Sequence, residues 1–136
     1  MDFSTSLIVA ASGLRAQSDR MKTIAENLAN ANSGATTPGG DPYRRKIPTM
    51  TSEFDREVDA TLVTTGKPIT DNTDFTTRYE PGNPMADAKG YVKLPNVNTL
   101  VEIMDMREAQ RSYEADLTVM DAAKNMQART VDLLKS

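Results

Sequence analysis

All seven prolines of the chain, from Pro38 to Pro95, and every glycine except Gly13 lie in one central window, and this confinement constrains the fold more than any other feature. Helix interiors tolerate neither residue well, so long helices are expected only outside that window. The pattern predicts a mainly α chain in three parts. An N-terminal helical segment covers 1–33, a Pro/Gly/Thr-rich middle that is β-rich or irregular covers 34–96, and a C-terminal helical segment covers 97–136.

In the first part Leu7, Leu14, Met21 and Leu28 recur every seven residues, with Phe3, Ala10, Ile24 and Ala31 in the complementary column and Gln17 as its one polar member. This is the seam of a coiled coil. Asn27, Asn30, Asn32, Ser33 and Gly34 follow, residues that stop helices. Asn27 carries two readings, a helix terminator or a buried amide that fixes register. In the last part Thr99 and Glu102 have capping-box spacing, which predicts a helix starting near Leu100. Its apolar residues, among them Leu100, Val101, Met104, Tyr113, Leu117, Val119, Met120, Val131 and Leu134, occupy more than one face. One antiparallel partner helix would leave part of that surface uncovered. The two terminal helices are therefore expected to form a coiled-coil pair with apolar surface to spare.

The middle holds 11 of the 16 threonines, and its β-branched runs suggest strands at Arg44–Met50, Phe75–Glu80 and Tyr91–Leu94. Few large apolar residues are available to it, and Val58–Thr73 is expected to be partly disordered before assembly. Leu, Ile, Val and Phe supply 25 of the 136 residues, below the roughly 20% at which compact folding becomes doubtful. A self-sufficient globule is not the expectation.

The chain has no Cys, His or Trp, which removes thiolate and imidazole catalysis and nearly all zinc, copper or haem ligation. A net charge of −3 argues against bulk attraction to nucleic acid or anionic lipid. The one basic cluster, Tyr43-Arg44-Arg45-Lys46, lacks the surrounding charge of a nucleic-acid site and reads as a polar strand edge or a subunit contact facing acids such as Glu53, Asp55, Glu57 and Asp59. Asp71, Asn72 and Asp74 resemble part of a calcium loop but lack its glycine and closing glutamate. Tyr113 beside Glu114 makes no acid/base site on spacing alone. No catalytic, cofactor-binding or metal-binding residues are expected. The longest apolar run near the start, Leu7 to Ala11, is too short for a signal-peptide core, and no stretch approaches a transmembrane helix. The protein is expected to remain in the cytoplasm or to leave by a route that reads no cleavable signal.

Four strings resemble the bacterial flagellar basal-body rod family, and its proximal-rod members in particular: Ile24-Ala25-Glu26-Asn27-Leu28-Ala29-Asn30-Ala31-Asn32, Pro42-Tyr43-Arg44-Arg45-Lys46, Gly90-Tyr91-Val92 with Pro95-Asn96-Val97-Asn98, and Arg111-Ser112-Tyr113-Glu114-Ala115. The resemblance implies a non-enzymatic rod subunit without metal or cofactor, carrying torque from the membrane ring to the hook around a central export channel. It further implies the flagellar type III export apparatus as exporter, a periplasmic location in the basal body, and as neighbours FlgB, FlgF, FlgG, FliE and copies of the same chain. On this reading the subunit contacts fall on Leu7, Leu14, Met21, Ile24, Asn27, Leu28, Leu100, Met104, Tyr113, Leu117, Met120 and Leu134. Tyr43, Arg44, Arg45 and Lys46 form a middle-segment contact, and Phe3 with Leu7 an export signal. Asp116 stands where the family pattern has Asn, and Asp41 lengthens the turn before Pro42. A soluble coiled-coil adaptor or secretion chaperone is the alternative that the same helices would serve.

Overall fold

The computed structural model describes residues 2–135. Helix α1 spans Phe3–Ala29 and α2 spans Thr99–Lys135. Between them run six short strands: β1 (Lys46–Ile47), β2 (Met50–Asp55), β3 (Ala60–Thr65), β4 (Ile69–Thr70), β5 (Thr76–Tyr79) and β6 (Tyr91–Leu94). At about 1.5 Å per residue the helices are about 40 and 55 Å long. Neither is long and apolar enough to cross a membrane.

The strands form three antiparallel pairs, β1 with β4, β2 with β3 and β5 with β6. Strand β6 has the bounds its sequence predicts, and β5 is one residue shorter at each end than the predicted run. The strand expected over Arg44–Met50 contracts to β1, since Pro48 has no amide to continue a ladder. The stretch expected to be partly disordered instead forms β3 and β4. Strand β3 pairs with β2 along its whole length, from Met50 opposite Thr65 to Asp55 opposite Ala60. Its turn is set locally: Asp55 Oδ1 accepts from the amides of Glu57 and Val58, and Asp59 adopts φ +52°.

Helix α1 ends where Asn30 Nδ2 donates to the Glu26 carbonyl at 2.8 Å. Helix α2 begins differently from the expected capping box. Asn98 is the cap, its Oδ1 accepting from the amides of Leu100 at 3.1 Å and Val101 at 3.3 Å. The Glu102 carboxylate turns inward instead.

The chain divides into two compact units, and each helix contributes to both. Met1–Met21, Thr49–Lys67 and Arg107–Ser136 make the first unit. There α1 and α2 meet in antiparallel order: Gly13 faces Asp116, and Arg20 pairs with Glu108 at 3.5 Å. The buried hydrophobic side chains of this unit are all alanines, Ala10 and Ala16 on α1, Ala109 and Ala123 on α2 and Ala60 at the start of β3. A Cβ on Gly13 would stand 2.7 Å from Asp116 Oδ2, so glycine is what admits this close approach. The β2–β3 hairpin is tied to α1 by Val63 N donating to Ser12 Oγ and by Thr65 Oγ1 donating to Asp19 Oδ2 at 2.6 Å.

Lys22–Pro48 and Pro68–Met106 make the second unit. Its buried side chains are Ile24, Pro42, Val92 and Pro95 together with the polar Thr23, Asn27 and Glu102. Gly90, at φ +85°, closes the β5–β6 excursion over Pro81, while Asp87 Oδ1 accepts from the amides of Lys89 and Tyr91. The backbone amide of Tyr91 is the main cause of an Asp87 pKa below its ordinary value.

Candidate functional site

Two features emerge, a polar clasp in the second unit and apolar surface that the chain leaves open. The clasp centres on Asn27, which is fully buried on the inward face of α1. Its Oδ1 accepts from the Lys46 backbone amide and from the Tyr43 hydroxyl, each at 2.9 Å. Its Nδ2 donates to the Lys46 carbonyl at 2.8 Å and to Glu102 Oε2 at 3.2 Å. The Lys46 amide can only donate and its carbonyl can only accept, so these two fix which end of the Asn27 amide is oxygen. The side chain thus trades the same two bonds with Lys46 that a facing strand residue would. A helix residue acts here as a neighbour in a sheet.

Glu102 brings α2 into the same cluster. Its side chain is fully buried and accepts from Asn27 and from Arg45 Nε, so the carboxylate taken from water keeps a cationic partner. Arg45 also reaches Asp71 at 3.3 Å and Asp105 at 3.9 Å. Asp71 Oδ1 accepts from the hydroxyl and the amide of Thr73, and these two bonds, with the Arg45 guanidinium behind them, hold its pKa below the usual carboxylate value. Asn96 completes the frame, its Oδ1 accepting from Arg45 N at 2.7 Å and its Nδ2 donating to the carbonyls of Asp71 and Thr73. Burial, reinforced by Glu26 and Glu102 and opposed by Lys46, raises the Tyr43 phenol above its ordinary value, so it stays a donor at neutral pH.

All four residues of the basic string are engaged within the unit. Arg44 lies over the Phe75 ring at 4.1 Å from its centroid and donates to the carbonyls of Asp71 and Thr73. Lys46 pairs with Glu26 at 3.1 Å, which raises the Lys46 pKa. The ion-pair partners of the cluster are Glu26, Asp71, Glu102 and Asp105, in place of the acids at 53–59 named from sequence.

The sequence-derived contact residues separate by burial. Ile24 and Asn27 are buried inside the chain, while Phe3, Leu7, Leu14, Met21, Leu28, Tyr113 and Met120 are half-buried. Leu100, Met104, Leu117 and Leu134 are exposed, Leu134 at 83%. In all, ten large apolar side chains of α2 stand in solvent, Leu100 to Met104 in the second unit and Leu117 to Leu134 in the first. Sequence reasoning missed Glu102, Asp71, Asn96 and Asp105 as members of the clasp. A signal for the first existed: Glu102, Ala109, Asp116 and Ala123 recur every seven residues and mark the inward face of α2. Among the described residues, no group of three or more acidic side chains is placed to hold a metal ion.

Comparisons with known proteins agree along the whole chain. Residues 7–35 match the family model described as "Flagella basal body rod protein", and residues 88–133 match "Flagellar basal body rod FlgEFG protein C-terminal". A protein of Agrobacterium fabrum named flagellar basal-body rod protein FlgC is 50% identical over 128 residues, covering 94% of this chain and 92% of its own length. Proteins of the same name from Escherichia coli O6:H1 and Aquifex aeolicus are 41% and 37% identical, covering 92% and 99% of both chains.

Proposed function

The chain belongs to the family of flagellar basal-body rod proteins, as a rod subunit of the FlgC kind, and we propose that it builds the rod through α1 and α2, nested with those of its neighbours as coiled coils around a central export channel. The observation that carries this reading is the apolar surface of α2. Leu100, Met104 and Leu134 stand mostly in solvent, at 68%, 62% and 83% exposure. Covering ~1,000 Å² of such surface between subunits is worth roughly 25 kcal/mol before ordering costs. Leu7, Leu14, Met21, Leu28, Tyr113, Leu117 and Met120 extend the same contacts.

In this reading the protein is not an enzyme. The segment 34–96 lies outward of the helices, and its Tyr43-Arg44-Arg45-Lys46 string contributes by holding that segment to both. Rigid helices wedged side by side resist sliding, which is what transmitting torque from the membrane ring to the hook requires. The neighbours are FlgB, FlgF, FlgG, FliE and further copies of the chain. The subunit reaches the periplasmic part of the basal body through the flagellar type III export apparatus without a cleavable signal, with Phe3 and Leu7 on the first turns of α1 as the element the exporter reads.

The test is complementation of an Agrobacterium strain deleted for its own FlgC. The chain restores swimming, and the Leu100→Ser/Met104→Ser variant, whose purified form keeps its helicity, does not. An unaltered chain that is exported yet leaves the cells immotile would falsify the rod reading.

A further inference from the structure

The inward face of α2 outruns its partner. In the first unit Gly13 faces Asp116 and Arg20 pairs with Glu108, so Phe3, where α1 starts, is level with about residue 126 of α2. The stripe that buries Ala109 and Ala123 and half-buries Asp116 and Met120 continues through Gln127, Val131 and Leu134, positions that follow at helical spacing. Every residue from Lys124 to Lys135 is exposed. About nine residues, some 13 Å of helix, thus carry a core-type face that extends past the start of α1, with no described residue of α1 level with it.

The same unit holds an open groove. It is lined by Ala10, Gly13, Gln17, Val63, Ala115 and Asp116 among others, with a volume near 550 Å³. One acceptor of its lining, the half-buried Asp116 carboxylate, has no ion pair among the described residues. The groove therefore suits a segment that brings a cation together with its apolar surface. The end of α2 brings both: Val131 and Leu134 lie on one face with the Gln127 amide, and Lys135 stands in the last turn.

We propose that the last three turns of α2 from one copy seat in this groove of a second copy, Val131 and Leu134 against its alanines, with Lys135 donating to Asp116. The inference rests on the rod reading and adds to it the contact that joins one copy to the next. Groove and tip are different surfaces of the chain, so the contact is heterologous and repeats without self-closure, as a growing column needs.

The chain has no native cysteine, which allows a clean test with the full-length protein. Ala115 is exposed at the groove, and Ala115→Cys combined with Leu134→Cys places one thiol at the groove and one on the tip. Nineteen residues apart on one helix, they are separated by about 28 Å and cannot bridge within a copy, since a disulfide needs Cα atoms within about 7 Å. Oxidation at concentrations where light scattering detects multimers should give a ladder of linked copies. It should exceed by about tenfold the linkage of a control pair, Glu114→Cys with Leu134→Cys, whose first thiol points away from the groove. Ala115→Trp, which fills the groove from an exposed position, should abolish the multimers at unchanged helicity. Multimers that form without preferential 115–134 linkage overturn the proposal, and so does a chain that stays monomeric throughout. Neither result touches the rod reading, which stands or falls on swimming.

Discussion

The two units are held by opposite means. In the first, α1 and α2 meet over alanines and a glycine, and the large apolar side chains of α2 face away. In the second, the interior is a polar lattice in which the Asn27 and Glu102 side chains bond to the middle segment and to each other. The alanine contact is short-ranged, and apart from Asp116 against Gly13 its buried surfaces have no large projections that must interlock. The lattice is directional, because each of its bonds fails if a partner moves by an ångström or two. One unit leaves its helices free to take further partners, and the other fixes where the middle segment attaches.

That contrast breaks most visibly at Arg45. Arg45→Ala leaves the Glu102 carboxylate buried without its cation and should destabilise the isolated chain by about 3–5 kcal/mol in urea unfolding. The double variant Arg45→Met/Glu102→Leu should recover most of the loss. If the single variant costs less than about 1 kcal/mol, the clasp is not what holds the second unit. Asn27→Ala comes next, at about 2–3 kcal/mol, because the Lys46 amide and carbonyl lose their partner together. Asn27→Asp should be little better, as its second oxygen would face the Lys46 carbonyl and Glu102.

Acid should act on the second unit through Asp71. Its folded pKa lies below its unfolded one, so its contribution is fully present above the unfolded value and is lost as pH falls through the folded one. The thermal midpoint should therefore drop below about pH 4, with a shallower drop in Asp71→Asn. An unchanged slope in that variant would remove Asp71 from the account.

Smaller effects sharpen the other side. Gly13→Ala combines a helix-propensity gain of ~1 kcal/mol with a clash against Asp116, and the two should nearly cancel. Adding Asp116→Ala should release the gain, and chemical denaturation of both variants checks it. Smallest of all, Leu100→Ser and Met104→Ser should change the stability of the isolated chain by less than about 0.5 kcal/mol while depressing the scattering that reports multimers.

What the sequence made legible follows from the range of the interactions. The helices and strands β5 and β6 depend on local propensity and on where breakers fall, and they stand close to where the residues predict them. Strands β2 and β3 escaped notice because Met50–Asp55 mixes Thr, Ser, Glu and Asp without a buried face, and their pairing rests on a turn set by one carboxylate. Thr99 and Glu102 had the right spacing for a capping box, yet Glu102 was engaged by Arg45, 57 residues earlier, and no local rule registers such a partner. Asn27 was half legible, since a helix amide on a seam has two uses and only the position of Lys46 decides between them. The seam built on large residues located α1 correctly at Ala10 and Ile24, but on α2 the inward face follows the alanines.

An interior of alanines also has a calorimetric consequence. The heat-capacity increment of unfolding comes from apolar surface returned to water, ordinarily ~12–15 cal/mol/K per residue. A chain whose largest side chains are already wet has less to return, so its increment should fall short of that value and its stability curve should be flat in temperature. The missing heat capacity is deferred to assembly, which should release it as a large negative increment when copies join. Such a subunit is indifferent to warming while it is single and becomes temperature-sensitive in proportion to the surfaces it has joined.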